Sequence, residues 1–159
     1  MTIRTIEPLS ALSVHQPWAS CIARGWKLVE NRSWRPPAHV AGRDLAIHAT
    51  VRPVEVVDEV EARDLLARFH GVPLPRGTRY VHGAIVAVAR VVGVVLPDGS
   101  GCPEQVRHWH RAGHYGWLLA DVRRLAQPLQ VRGQQGVWMV PGELVHQIRD
   151  ELSARKAAP

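Results

Sequence analysis

The sequence predicts a small mixed β-barrel of about five or six strands with flanking helices, in the α/β (α+β) class. The first observation is the run from Gly83 to Leu96, which is nearly unbroken apolar and rich in valine. Such a run is typical of a long strand buried on both faces, as in a small closed barrel. A strand–helix–strand pattern near the start of the chain and an amphipathic helix after the third predicted strand are the other two observations.

The first predicted element is a short apolar strand over Ala11–Val14. A helix follows, and Pro17 suits its first residue because the missing N–H is not needed there. Gly25 suits the left-handed residue that ends this helix. The chain therefore reverses direction within a few residues, so the helix must pack beside the next strand.

That next strand, from Leu28 to Trp34, mixes acidic, basic and aromatic side chains. Alternation places Leu28, Glu30, Arg32 and Trp34 on one face. Residues two apart on one face are separated by about 6.6 Å. We therefore expect Glu30 and Arg32 to converge on one ligand beside Trp34, the alternative being a surface ion pair next to an edge tryptophan.

The later elements are predicted from hydrophobic periodicity and from residues that end helices or strands. A helix is predicted from Pro53 to about Phe69, and its apolar face recurs at helical spacing, with acidic residues in its N-terminal half. The apolar face consists of Ala62, Leu65, Leu66 and Phe69. The other predicted elements are strands at Leu45–Ala49, at Trp117–Val122 (ended by Gln127 and Pro128) and at Val137–Val140, a short helix at Pro141–Arg149, and a frayed end from Ser153 to Pro159.

Composition favours a polyanionic partner. The net charge is +6 and the isoelectric point is near 10.3. Eighteen arginines against two lysines indicate a GC-rich genome, which supplies arginine to any surface. The same bias makes Lys27 notable, because a compact, titratable amine has been kept there.

Several classes of protein are not expected. A chain of 159 residues suits one domain, no apolar run reaches the length of a membrane span, and no signal-peptide core is present. Cys21 and Cys102 are too few for a disulfide scaffold, so a cytoplasmic protein is expected. His108, His110 and His114 have spacings that can hold a metal, but solvated histidines are the preferred interpretation. We therefore predict no metal site, no cofactor and no membrane association.

Two sets of motifs give the chain a resemblance to a known family. The first set is Leu12-Ser13-Val14-His15-Gln16-Pro17-Trp18-Ala19, Gly25, Lys27, Glu30-Asn31-Arg32-Ser33-Trp34 and Ile47-His48-Ala49. The second is Gly83–Ala87, Trp117–Leu119, Pro128–Leu129, Gly133 and Gly136–Trp138. Together they resemble the ASCH domain, named for activating signal cointegrator homology, in the PUA-like superfamily. The resemblance implies one ASCH domain over residues 9–148, between a lead-in (1–8) and a C-terminal tail (149–159), folded as a PUA-like barrel with a cleft beside the first helix.

This resemblance implies that the cleft binds nucleic acid, with RNA favoured over DNA. The cleft is expected to be basic and to contain tryptophan, so that bases stack while polar groups read their edges. The expected site residues are His15, Gln16, Pro17, Trp18, Lys27, Glu30, Arg32, Trp34 and His48. Alternatives stay open for four of them: Gln16 as a cap or a bridge between loops, Trp18 as a core residue, Trp34 as a cover for a sheet edge, and His48 as a hydrogen-bonded core histidine.

A hydrolase is the alternative function, and whether the chain is an enzyme stays open. Some ASCH proteins look like amidohydrolases of N4-acylated cytidine, a modified nucleoside, and ribonuclease activity is also attributed to relatives. Lys27 and Glu30 would then be catalytic. The amidohydrolases have threonine at the position of Glu30. This difference weakens the case for a covalent acyl-enzyme and leaves attack by water, with Glu30 as general base. A protein-interaction module with a vestigial cleft is a third possibility.

Overall fold

Six strands form one mixed sheet in the computed structural model of this chain, which describes residues 5–158. The strands are β1 (Ser10–Val14), β2 (Val29–Arg32), β3 (Asp44–Ala49), β4 (Ala84–Val95), β5 (Tyr115–Gln130) and β6 (Val137–Met139). The α-helices are α1 (Trp18–Ala23), α2 (Val56–Leu65) and α3 (Gly142–Ala157); a π-helical turn (Leu66–His70) extends α2, and a 3₁₀-helix (Glu104–Trp109) precedes β5. The strand order is β2-β5-β4-β3-β1-β6, with β1 and β3 parallel and the other neighbours antiparallel.

The predicted fold class is confirmed, since a curled sheet of six strands is flanked by helices. The barrel, however, is a half-barrel. In the described residues, β2 and β6 each pair with only one neighbour, so the hydrogen-bonded ladder does not close. Closure needs a further pairing between these two short edge strands.

Strand β4 is the central strand, as the valine-rich run predicts, but it is buried on both faces only from Ala84 to Ala89. Arg90 and Val92 are exposed. The pairing register shifts between Ile85 and Ala87 on both sides of the strand, in a bulge. Because the bulge breaks simple alternation, Val86 and Ala87 join one core cluster while Val88 joins another, so Val86 and Val88 do not share a face.

Two predicted boundaries are wrong because of tertiary packing. Strand β5 continues past Pro128 to Gln130, since Pro128 falls where β5 has no register partner on β4 and its missing N–H breaks no ladder bond. Helix α3 continues to Ala157 instead of ending near Arg149. Val145, Ile148 and Leu152 pack on the core around Leu125, which holds the predicted frayed tail in a helix. Residues 1–4 of the predicted lead-in and Pro159 lie outside the described residues.

The helix predicted from Pro53 to Phe69 is also revised. Its regular part is α2, and the π-helical turn carries its end to His70. Ala62 and Leu66 are buried as expected, but 52% of Phe69 is exposed. Phe69 stacks on His108 instead, with ring centroids 4.2 Å apart, so it leaves the apolar face of the helix.

Helix α1 begins at Trp18, one residue later than predicted, and Gly25 has the left-handed φ of +76° that the prediction requires. This turn brings Lys27 back beside the start of α1. No helix among the described residues is long and apolar enough to cross a membrane.

Candidate functional site

A cavity of about 360 Å³ opens between β2, α1, α2 and the loop that follows the 3₁₀-helix. Four separate parts of the chain line it. They contribute Val14, His15 and Trp18; Lys27, Glu30, Asn31 and Arg32; Asp58, Glu61 and Leu65; and His108, Trp109, His110 and Arg111. The site is therefore assembled by the tertiary fold, with β2 as its floor.

A buried ion pair lies at the floor of the cavity. Lys27 is 4% exposed and Glu30 is 6% exposed. The Lys27 Nζ lies 2.9 Å from the Glu30 Oε2 and also donates to the carbonyl of Val29 at 2.5 Å. Burying either charge alone is strongly unfavourable, so each group requires the other.

The pair leaves polar atoms available to a ligand. An ammonium has three N–H donors, and Lys27 uses two of them on Val29 and Glu30. The Glu30 Oε1 lies 3.7 Å from Arg32 Nη1, which is an ion pair but too long for a hydrogen bond. One strong donor and one strong acceptor therefore stand side by side at the floor.

Two tryptophans form an apolar wall next to this pair. Trp18 and Trp109 meet edge to face, with ring centroids 6.3 Å apart, and the Lys27 ammonium lies 5.6 Å from the Trp18 ring centroid. Trp109 is 3% exposed, whereas Trp18 is only partly buried. Trp18 is therefore the ring with surface left for a ligand. Indole Nε1 of Trp109 is a buried donor that has no partner within the described residues.

Asn31 holds the far wall against β2. Its Nδ2 donates to the carbonyl of Trp109 at 2.9 Å, and its Oδ1 accepts from the backbone N–H of Arg111 at 2.9 Å. The loop is also tied to α2, because Arg111 forms an ion pair with Glu61 at 3.0 Å. These contacts fix the distance between the two sides of the cavity.

Histidines occupy the rim. His108 shares a hydrogen bond of 2.8 Å with His70, while the His110 Nε2 donates to the carbonyl of His114 at 2.8 Å. Burial, together with the neighbouring His70, holds the pKa of His108 below its ordinary value. Within residues 5–158 no cluster of three metal-ligating side chains is found. His108 and His110 are held by hydrogen bonds to neighbouring residues of the chain.

The cavity is not basic, which corrects the expectation for the cleft. Its lining carries three cationic side chains, Lys27, Arg32 and Arg111, and three carboxylates, Glu30, Asp58 and Glu61. Two acidic residues of α2, Asp58 and Glu61, line the cavity, and the sequence alone did not indicate that placement. Phosphate attraction inside the cavity is therefore weaker than the overall charge of the chain suggests.

Four expected site residues do not line the cavity. Gln16 is 1% exposed, donates to the Val81 carbonyl and accepts from the Ser20 N–H. Pro17, the residue before α1, lines a different cavity. Trp34 packs edge to face on Trp117, with ring centroids 4.9 Å apart, and so covers the core.

His48, the fourth, is 2% exposed, and its Nε2 donates to the Val131 carbonyl at 2.8 Å. Burial lowers the pKa of His48, as the core-histidine alternative would suggest. The other five expected residues do line the cavity: His15, Trp18, Lys27, Glu30 and Arg32.

The sequence did not single out several lining residues. Asn31 lay inside the motif but on the opposite face of the predicted strand, and its contacts with Trp109 and Arg111 span 78 and 80 residues. Asp58 and Glu61 were interpreted only as helix-dipole partners. A tertiary contact map is needed to find such residues, because no local pattern marks them.

Comparison with known proteins agrees with this fold. The ASCH domain model matches residues 12–129, so the chain belongs to the ASCH domain family. Over 64 residues the chain is 44% identical to the human protein "Activating signal cointegrator 1". That match covers 40% of this chain and 11% of the human protein, so the chain spans about a ninth of the length of this curated relative.

Solved structures show the same fold. The ASCH protein of Zymomonas mobilis superposes with a TM-score of 0.51 and 16% identity, covering 89% of this chain and 94% of that one. A single-substitution variant of the same protein gives a TM-score of 0.52 at 16% identity, covering 91% and 98%. At this identity the likeness establishes the fold alone.

Proposed function

We propose that this protein binds RNA by admitting one unpaired nucleotide into the cavity. The observation that carries the proposal is the Lys27–Glu30 pair, which leaves one donor and one acceptor side by side at the floor next to Trp18. The link of the ASCH family to RNA binding supports the same conclusion.

The chemistry of the floor suits the edge of a nucleobase. Each base presents a hydrogen-bond donor beside an acceptor on its Watson–Crick edge, and unpaired RNA bases are read along that edge. Lys27 would donate to the base acceptor, and Glu30 would accept from the base donor. Because all four bases offer such a pair, the floor by itself predicts little base preference.

The size and walls of the cavity suit one nucleotide. Small-molecule sites start at roughly 300 Å³, so about 360 Å³ accommodates a nucleoside and excludes a duplex. The exposed part of Trp18 offers a stacking surface, and base–aromatic stacking contributes roughly 1–3 kcal/mol. Arg32 and Arg111 at the opening would contact the sugar–phosphate of that nucleotide.

A hydrolase acting on an acylated cytidine or on RNA is the second candidate. It is favoured by the contact between Lys27 and Glu30, since a carboxylate beside a cation can activate water. In the described part of the chain, however, no serine, threonine or cysteine lines the cavity, so a hydroxyl or thiol nucleophile is not at hand. Direct attack by water, with Glu30 as general base, is the form of this candidate that the Lys27–Glu30 contact favours.

Two substitutions separate the candidates. Lys27→Met removes the donor, and in a binder it should weaken binding of a short single-stranded RNA at least tenfold, while Glu30→Gln keeps an acceptor oxygen and should weaken it less. In a hydrolase, Glu30→Gln should abolish turnover and leave substrate binding nearly intact. Fluorescence anisotropy with a labelled RNA, run beside acid release from N4-acetylcytidine and an RNA cleavage assay, measures both.

The control removes a cation far from the cavity. Arg43→Met changes an exposed residue that does not line it and should bind RNA like the wild type. Lys27→Met removes the closer cation from the buried carboxylate of Glu30, which can destabilise the fold. Melting curves are therefore recorded for this variant and for the double variant Lys27→Met/Glu30→Gln, in which the carboxylate is also neutralised. If folded Lys27→Met binds RNA as tightly as the wild type, the cavity is not the binding site; if the wild type turns over a substrate and Glu30→Gln does not, the hydrolase is correct.

A further inference from the structure

A basic groove runs along a different face of α1 from the one that lines the cavity. It consists of two adjoining cavities of about 370 and 420 Å³, which share Ala23, Arg24 and Arg124. In an α-helix, successive residues are about 100° apart, so Trp18, which lines the first cavity, and Ser20, which lines the groove, point in nearly opposite directions. We call this feature the α1 groove.

The α1 groove holds most of the excess positive charge of the chain. Six cationic side chains line it, against the single carboxylate of Asp121 among the described lining residues. The cations are Arg24, Arg79, Arg123, Arg124, Arg155 and Lys156. The net charge of the chain is +6, whereas the lining of the first cavity is balanced.

Most of these cations have no carboxylate partner. In residues 5–158, no ion pair involves Arg24, Arg79, Arg124 or Lys156. By contrast, Arg123 is bound to Asp44 at 2.6 Å. Four unneutralised charges in one concave surface repel one another, and a bound polyanion relieves that repulsion.

Helix chemistry explains only part of the cluster. Arg155 and Lys156 lie in the last turn of α3, where cations favourably offset the helix dipole. Arg24, Arg79 and Arg124 come instead from the end of α1, the loop before β4, and β5. Their convergence from separate parts of the chain has no local explanation.

Aromatic surface lies between the cations. Trp26 and Tyr80 line the groove, and the Arg24 guanidinium lies 5.6 Å from the Trp26 ring centroid. The Tyr80 hydroxyl donates to Glu59 at 3.2 Å, which holds that ring in place. Cations interleaved with aromatic rings in a groove are typical of surfaces that track a single-stranded nucleic acid backbone.

We propose that the α1 groove binds the phosphodiester backbone of single-stranded RNA, as a second contact surface beside the cavity. The groove supplies the electrostatic, sequence-independent part of binding, and the cavity, if the proposed function is correct, takes up one nucleotide of the same strand. The cavity itself has no excess positive charge, so the groove supplies the attraction for a polyanionic strand.

Salt titrations of a triple variant test the groove. Arg24→Gln/Arg79→Gln/Arg124→Gln is compared with Arg35→Gln/Arg43→Gln/Arg132→Gln, which removes three exposed arginines that line neither surface and, in residues 5–158, form no ion pair. The probes are cytidine monophosphate and a mixed-sequence RNA of about 12 nucleotides. With the longer RNA, the plot of log affinity against log salt concentration should be less steep for the groove variant than for the wild type. The magnitude of the slope should decrease by roughly 0.7 per lost contact, about 2 in total. The control should keep the wild-type slope.

The outcomes separate this proposal from the proposed function. The groove proposal is wrong if the salt dependence of RNA binding decreases equally in the groove and control variants, or if it decreases in neither. Cytidine monophosphate should bind the groove variant as it binds the wild type, and Lys27→Met should lose that binding. If RNA binding by the groove variant depends less on salt while Lys27→Met binds both probes like the wild type, the groove proposal is supported and the cavity proposal is wrong.

Discussion

Lys27 and Glu30 show how single residues in this site depend on one another. Composition singles out Lys27, because it is one of two lysines among twenty basic residues, and strand alternation places Glu30 and Arg32 on one face. Both are local signals. The contact between Lys27 and Glu30 is local as well, because the two residues lie only three positions apart in the chain.

The roles of other residues of the site could not be predicted from local sequence patterns. Asn31 alternates to the opposite face of an ideal strand, yet it contacts Trp109 and Arg111 across the sheet edge. Trp34 and His48 belong to the same motif as Lys27, but they pack in the core. Sequence motifs mark a region of the fold, and packing decides which of its side chains face a ligand.

His108 makes a pH-dependent contribution to stability. Its pKa is held below the ordinary value of 6.5, so the unfolded chain binds more protons there than the folded protein. The free energy of unfolding should therefore fall as pH drops below about 6.5 and level off once folded His108 is itself protonated. Urea midpoints between pH 8 and pH 5 measure this loss.

His108→Gln is the comparison for that prediction. The variant should lose part of the acid destabilisation, while the part due to His48, whose pKa is also lowered by burial, remains. Parallel pH profiles for wild type and variant would show that His108 does not contribute.

Strand β4 is the element on which the core depends. Val88 is fully buried among the residues that pack under α3, whereas Val92 on the same strand is 55% exposed. Val88→Asp buries a charge without a partner and should destabilise the fold by more than about 4 kcal/mol. Val92→Asp should change stability by about 0.5 kcal/mol or less. Chemical denaturation of both variants measures the difference, and similar losses would mean that the two positions do not differ in burial.

Element types were easier to predict from sequence than element ends. Apolar runs and helical periodicity locate all six strands and the three α-helices of the described residues. The extensions of β5 and α3 were missed, because each depends on a partner distant in sequence: an unpaired stretch beside β4 for Pro128, and the core around Leu125 for the end of α3. The bulge at Val86 likewise needs both neighbouring strands to define it.

On the scale of the whole molecule, charge and shape are distributed over two surfaces of α1. The cavity beside β2 is balanced in charge and has a polar floor, while the α1 groove is strongly cationic. Net charge favoured a polyanionic partner, and the expectation of a basic cleft, which came with the family resemblance, placed the excess charge on the wrong surface. The position of a charge on the surface depends on the fold, and composition carries no information about it.

The tryptophan side chains provide the most direct test of the central claim, that one nucleotide occupies the cavity. Trp18 and Trp109 line it, Trp26 lines the α1 groove, and the indole N–H groups of Trp117 and Trp138 donate within the core, to the Trp34 carbonyl and the Ser13 hydroxyl. Indole N–H signals in ¹⁵N-labelled protein are assigned from single Trp→Phe variants and followed during titration with cytidine monophosphate. The Trp18 and Trp109 signals should shift saturably, while those of Trp117 and Trp138 stay in place and Trp26 responds only to longer RNA. Unchanged Trp18 and Trp109 signals at a ligand concentration that saturates binding would contradict the account.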